Sequence, residues 1–162
     1  MQAMLLERIS SVAGNDTPLR AVDMPVPEPG PHEVLIAISA CGVRHTELDE
    51  IEGRSEPPRL PVIPGHEVVG HVEKVGRDVT RLRPGDRVGV GWIHSSDGSA
   101  NENLSLEFRA TGRNVHGGYA EYMTMGEDYA FPIPNRFIPK RFGDKEAARY
   151  CKIGYLISQN LS

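Results

Sequence analysis

Residues 61–76, PVIPGHEVVGHVEKVG, hold a His66–Glu67 pair inside a stretch that otherwise reads as apolar strand. An imidazole and a carboxylate side by side are both ligands for zinc, and the flanking Gly65 and Gly70 let the backbone approach neighbouring elements closely. The competing interpretation is a solvated or salt-bridged pair at a strand edge, because charged side chains are rarely buried without a partner. The chain has only two cysteines, Cys41 and Cys151. That is too few for a disulfide scaffold and fits a reducing compartment, so a cytoplasmic protein is expected.

Elements that position these residues must come from a chain of 162 residues, 39% hydrophobic and 25% charged, which is enough for one respectable core. A net charge of −4 offers no basic field for nucleic acid or an anionic membrane surface. The first 13 residues place Glu7 and Arg8 in a short apolar stretch, which suits neither a signal peptide nor a spanning helix. Thirteen prolines and seventeen glycines, spread among short β-rich runs, predict many strands and tight turns rather than helices.

Residues 1–9 and 19–24 read as a first strand pair, followed by the connector PVPEPGP, whose prolines lack the N–H donors of a central strand. Residues 32–41 alternate as a strand with Val34, Ile36 and Ile38 on one face. Residues 42–52 predict a short helical turn with Leu48 and Ile51 on its apolar side and Gly53 at its end. Further strands are expected over 68–75, 86–92, 115–125 and 129–133, with a long polar surface loop over 94–113. Gly89-Val90-Gly91 leads into that loop rather than into a helix, so it is no dinucleotide fingerprint. Residues 135–162 suggest a helix of about three turns, with Ala147, Tyr150, Cys151 and Gly154 on one face.

The ordered motifs CGV, HTE, PVIPGHEVVG, VGRDVTRLRPGDRV and GGYAEY resemble the N-terminal catalytic domain of zinc-dependent alcohol dehydrogenases of the medium-chain dehydrogenase/reductase superfamily. That resemblance implies a GroES-like β-barrel over residues 1–134 and a cis Leu60–Pro61 bond. It places residues 135–162 where a nucleotide-binding Rossmann domain would begin, a domain this chain is expected to lack. It also implies a catalytic zinc held by Cys, His and Cys, often with a neighbouring Glu, and NAD(P) as hydride acceptor. His66, Glu67 and Cys151 match ligand positions, whereas the first cysteine is replaced, since family members read CGVCHT and this chain reads CGVRHT. Arg44 therefore stands at that place, and a guanidinium has no lone pair for a metal. A structural zinc of the four-cysteine kind is excluded by the lack of cysteine in 94–113.

The same resemblance makes Thr46 a proton relay, Glu47 the acid that orients the metal-binding imidazole, His45 a cation near the cofactor pyrophosphate and Trp92 a substrate-pocket aromatic. Their simpler alternatives are a helix cap for Thr46, a solvated carboxylate for Glu47, a packed helix face for Cys151 and core packing for Trp92. Cys41 reads best as a small buried apolar residue. Arg44 is expected to pair with Glu67, or failing that with Glu47. Two functions follow as expectations. One is the catalytic domain of an NAD(P)-linked alcohol dehydrogenase acting on a small alcohol or aldehyde, truncated and inactive alone, with a homo-oligomer or a missing cofactor-domain partner expected. The other is a metal-free, non-enzymatic remnant or interaction module with the same barrel.

Overall fold

The computed structural model describes residues 1–134 of the chain. The helix expected within 135–162, and Cys151 with it, lie outside the described residues. Strands β1 (Gln2–Leu5) and β2 (Arg20–Asp23) pair antiparallel, as the first two apolar runs suggest. Next come β3 (Glu33–Cys41), helix α1 (His45–Ile51), β4 (Val68–Val75), β5 (Arg87–Val90), β6 (Ile93–Ser95), β7 (Arg109–Ala110), β8 (Tyr122–Gly126) and β9 (Ala130–Pro132). The main sheet runs β8-β3-β4-β5-β9, and each of its neighbouring pairs is antiparallel. It curls into the half-barrel of a GroES-like fold. Register shifts in the β3–β4 ladder, at Leu35/Ile36 and Ile38/Ala40, supply local twist for such curling.

One core lies on the main sheet, where Val34, Ile36, Val68, Val72, Val88, Met123 and Met125 are buried. A second gathers Ala3, Leu5, Leu6, Ile51, Val62, Ile63 and Tyr119 between the first hairpin and the loop before β4. Cys41 packs against both, as a small apolar residue at the end of β3 should. Leu35 is buried as well as Val34 and Ile36, so β3 is covered on both faces at its centre, which alternation alone does not show. The Leu60–Pro61 bond is cis.

Tight backbone crossings bring the loop before β4 against residues 112–118. A Cβ on Gly117 would lie 2.1 Å from Gly65 O, and Gly65 itself holds φ at +98°, so both positions require glycine. The polar stretch 94–113 is more ordered than its composition suggests. It contains the β6–β7 pair and a 3-10 turn over Glu102–Leu104.

Helix α1 departs from its expected apolar face. Ile51 is buried, but Leu48 is only half-buried, and Glu47 and Glu50 are as enclosed as Ile51, at 1% and 4% exposure. These carboxylates stand three positions apart, so the helix sets them on one side, facing inward. The N-cap is Arg44 rather than Thr46, and the Arg44 backbone N–H donates to Glu47 Oε2 at 2.8 Å. Gly53, with φ at +76°, ends the helix as expected.

Candidate active-site cleft

Buried carboxylates demand partners, and these partners define the site. Glu47 Oε1 lies 2.5 Å from His66 Nδ1. The contact is close but not a well-directed hydrogen bond, so Oε1 is satisfied by charge rather than by ideal geometry. Glu47 raises the His66 pKa above the ordinary histidine value, against an opposing effect of burial. A solvated role for Glu47 is thereby corrected, because its side chain is 2% exposed. Glu50 Oε1 accepts from Arg113 Nη1 at 3.3 Å, and burial holds the Glu50 pKa above the usual carboxylate range despite that cation.

Arg113 reaches beyond Glu50. It donates to Ser55 O at 2.8 Å, Ser55 Oγ at 3.0 Å and Glu56 O at 2.8 Å. One guanidinium thus ties α1, the loop after it and the turn after β7 together. These parts surround a cleft of about 650 Å³ whose lining includes Thr46, Glu50, His66, Trp92, Thr111 and Arg113. Trp92 is 52% exposed and meets Phe108 ring to ring at 5.1 Å, which corrects the core alternative. Thr111 Oγ1 is buried without a hydrogen-bond partner.

Arg44 and Glu67 sit in a different setting. Their side chains are 61% and 43% exposed, and Nη1 to Oε1 is 3.1 Å, so the expected ion pair is present at the surface. His45 is exposed on the first turn of α1, and Thr46 is exposed beside the cleft without serving as the helix cap. Asp49 is engaged with Arg54 Nε at 2.6 Å. The structure therefore brings Thr46, His66 and Trp92 to one cleft with Glu47 enclosed against His66, sets Arg44 on Glu67, and leaves His45 in solvent.

Glu50, Phe108, Thr111 and Arg113 escape a sequence reading, although Glu50 carried a signal. It follows Glu47 by three residues on the same helical face. Arg113 had none, because only the tertiary fold puts the turn at Thr111–Arg113 beside α1.

Taken with the fold, these features define a GroES-like domain. The alcohol dehydrogenase GroES-like domain family matches residues 30–135, and the chain belongs to it. It is 43% identical over 125 residues to an alcohol dehydrogenase of Geobacillus stearothermophilus, covering 73% of this chain and 37% of that protein. Among solved structures, a zinc-binding dehydrogenase of Sinorhizobium meliloti bound to NADP superposes with a TM-score of 0.73 at 31% identity, covering 85% of this chain and 40% of the other. A cobalt- and zinc-bound thermostable alcohol dehydrogenase of Pyrobaculum aerophilum gives 0.71 at 28% identity, covering 82% and 41%. The chain thus spans well under half the length of these relatives. No helix among the described residues is long and apolar enough to cross a membrane.

Zinc in those relatives raises the question of fit here. Among the described residues no group of three His, Cys, Asp or Glu side chains is arranged to hold a metal ion. His66 and Glu67 are donors, yet Glu67 is taken by Arg44, and His66 directs Nδ1 at Glu47. Among the described residues this donor set does not fit a zinc ion; Cys151, the other matched ligand position, lies outside them.

Proposed function

We propose that residues 1–134 form the catalytic domain of an alcohol dehydrogenase-type oxidoreductase, which binds a small alcohol or aldehyde in the cleft between α1 and the turn after β7. The observation that carries this reading is convergence. Thr46, His66 and Trp92, from three separate stretches, line one cleft large enough for such a substrate.

A bound NAD(P) would supply the hydride acceptor for the carbinol carbon. The chain's own residues hold the other partner. The Thr46 hydroxyl, a donor and acceptor at once, accepts a hydrogen bond from the substrate hydroxyl and, being exposed, relays its proton by passing its own to solvent, and the His66–Glu47 pair keeps the cleft wall polar and fixed. Trp92 and Phe108 offer an apolar wall to the carbon skeleton, and exposed His45 is the basic side chain assigned to the cofactor pyrophosphate. A cofactor-binding part, in the same protein, in a separate chain or in a second copy, completes the active site.

Trp92 is the only tryptophan, so its fluorescence reports occupancy of the cleft directly. Titration with small alcohols and aldehydes should give a saturable change that weakens in Thr46→Val. Absence of any saturable change across both compound classes would rule this reading out. It would favour the second one, a non-enzymatic remnant or interaction module, whose specific support is the Arg44–Glu67 pair.

A further inference from the structure

What separates this site from a metal site is a side chain. We infer that Arg44 is the resident cation here. Its guanidinium takes the carboxylate that a divalent ion would need, and the His66–Glu67 pair does not load zinc while position 44 is arginine. The inference is independent of whether the cleft binds an alcohol.

The contact is anchored at both ends. Nη1 of Arg44 lies 3.1 Å from Glu67 Oε1 and 3.5 Å from Oε2, so one nitrogen spans both oxygens. The Arg44 backbone is held as the N-cap of α1 by its N–H on Glu47 Oε2. The Glu67 backbone is held by Gly42 N–H, which donates to Glu67 O at 2.7 Å. A Cβ on Gly42 would lie 2.8 Å from Glu67 Oε2, so the glycine leaves room for the carboxylate to lie across the turn. The two side chains thus start from adjoining backbone, although the pair itself is solvent-exposed.

Charge decides the rest. A guanidinium stays protonated at any pH a protein survives and donates hydrogen bonds only. A divalent ion drawn to the second nitrogen of His66 and to Glu67 would meet that fixed positive charge within a few ångströms and would have to displace it from the carboxylate. Glu47, fully enclosed and already shared between His66 Nδ1 and the Arg44 backbone, is not free to replace Glu67.

The test measures metal rather than turnover. The full chain, incubated with zinc and desalted, should retain no more zinc than its His66→Ala variant. Arg44→Cys removes the cation and supplies a thiolate. It should hold stoichiometric zinc that is lost again in Arg44→Cys/His66→Ala, and with cobalt it should show thiolate-to-metal charge-transfer absorption that the parent lacks. Arg44→Gln guards against a cysteine variant that does not fold. It removes the charge without adding a strong ligand, and competition with a chromophoric chelator should show zinc held at least roughly tenfold more tightly than by the parent. Stoichiometric zinc in the unmodified chain that disappears with His66→Ala overturns the inference. So does a folded Arg44→Cys that takes up neither metal, or an Arg44→Gln with unchanged zinc affinity.

Discussion

At the scale of single residues, burial assigns unequal weight to groups that look alike in sequence. Glu47 and Glu67 are both carboxylates near His66, yet one is enclosed and the other exposed. Glu47→Ala leaves a half-buried imidazole without its counter-charge and the Arg44 N–H without its acceptor, and should cost about 3 kcal/mol of stability. Glu67→Ala breaks a surface pair and should cost under about 1 kcal/mol. Urea denaturation of the two variants checks the contrast. His116 gives a prediction in pH. Its Nδ1 accepts the Ile63 N–H at 3.1 Å, and burial, aided by Arg59, lowers its pKa below the ordinary value. A histidine with a depressed folded pKa binds fewer protons folded than unfolded, so its stabilising effect is full above the unfolded pKa near 6.5 and is lost as pH falls through the folded value. The parent should therefore lose more stability than His116→Gln on acidification from pH 7.5 to mildly acid conditions. Denaturation midpoints that move in parallel for both proteins would contradict this.

At the scale of elements, Arg113 is the clasp of the cleft. It joins the turn after β7 to α1 through Glu50 and to the loop after α1 through Ser55 and Glu56. Arg113→Ala strands a buried carboxylate and frees a loop, so a loss of about 3 kcal/mol is expected. In Arg113→Ala/Glu50→Gln the stranded charge is gone, and part of that loss should return. A double-mutant cycle with no coupling would show that the two residues act separately. The close approach of the loop before β4 to residues 112–118 gives a second expectation at this scale. Gly117→Ala would push a methyl into the Gly65 carbonyl, whose backbone has no room to yield, and should destabilise the fold by about 2 kcal/mol or more. Thermal unfolding measures both variants.

For the whole molecule, the chain supplies one side of a proposed two-sided active site. It contains no G-x-G-x-x-G sequence, the glycine turn between strand and helix that cradles a pyrophosphate in dinucleotide-binding folds. Titration of this chain with NADH should accordingly leave the dinucleotide fluorescence unchanged. Saturable binding in the micromolar range would mean that the barrel holds a nucleotide site of another kind.

Motifs with fixed backbone demands were legible from sequence. The strand over 68–75 and the helix stop at Gly53 could be read where they stand, from local pattern and from a turn that favours glycine. The cis bond before Pro61 followed only from the family resemblance. The ion pair between Arg44 and Glu67 was legible too, because both residues lie in motifs whose relative placement the family resemblance implies. The inward turn of Glu47 and Glu50, the order within 94–113 and the reach of Arg113 across the cleft were not. Each depends on which side chains the fold brings within a few ångströms from stretches remote in the chain, and the pattern of apolar residues records burial of carbon but not the burial of a charge that finds its partner. Sequence by itself determined the barrel and the family; only the tertiary structure decided which carboxylates are buried, because that rests on partners remote in the chain.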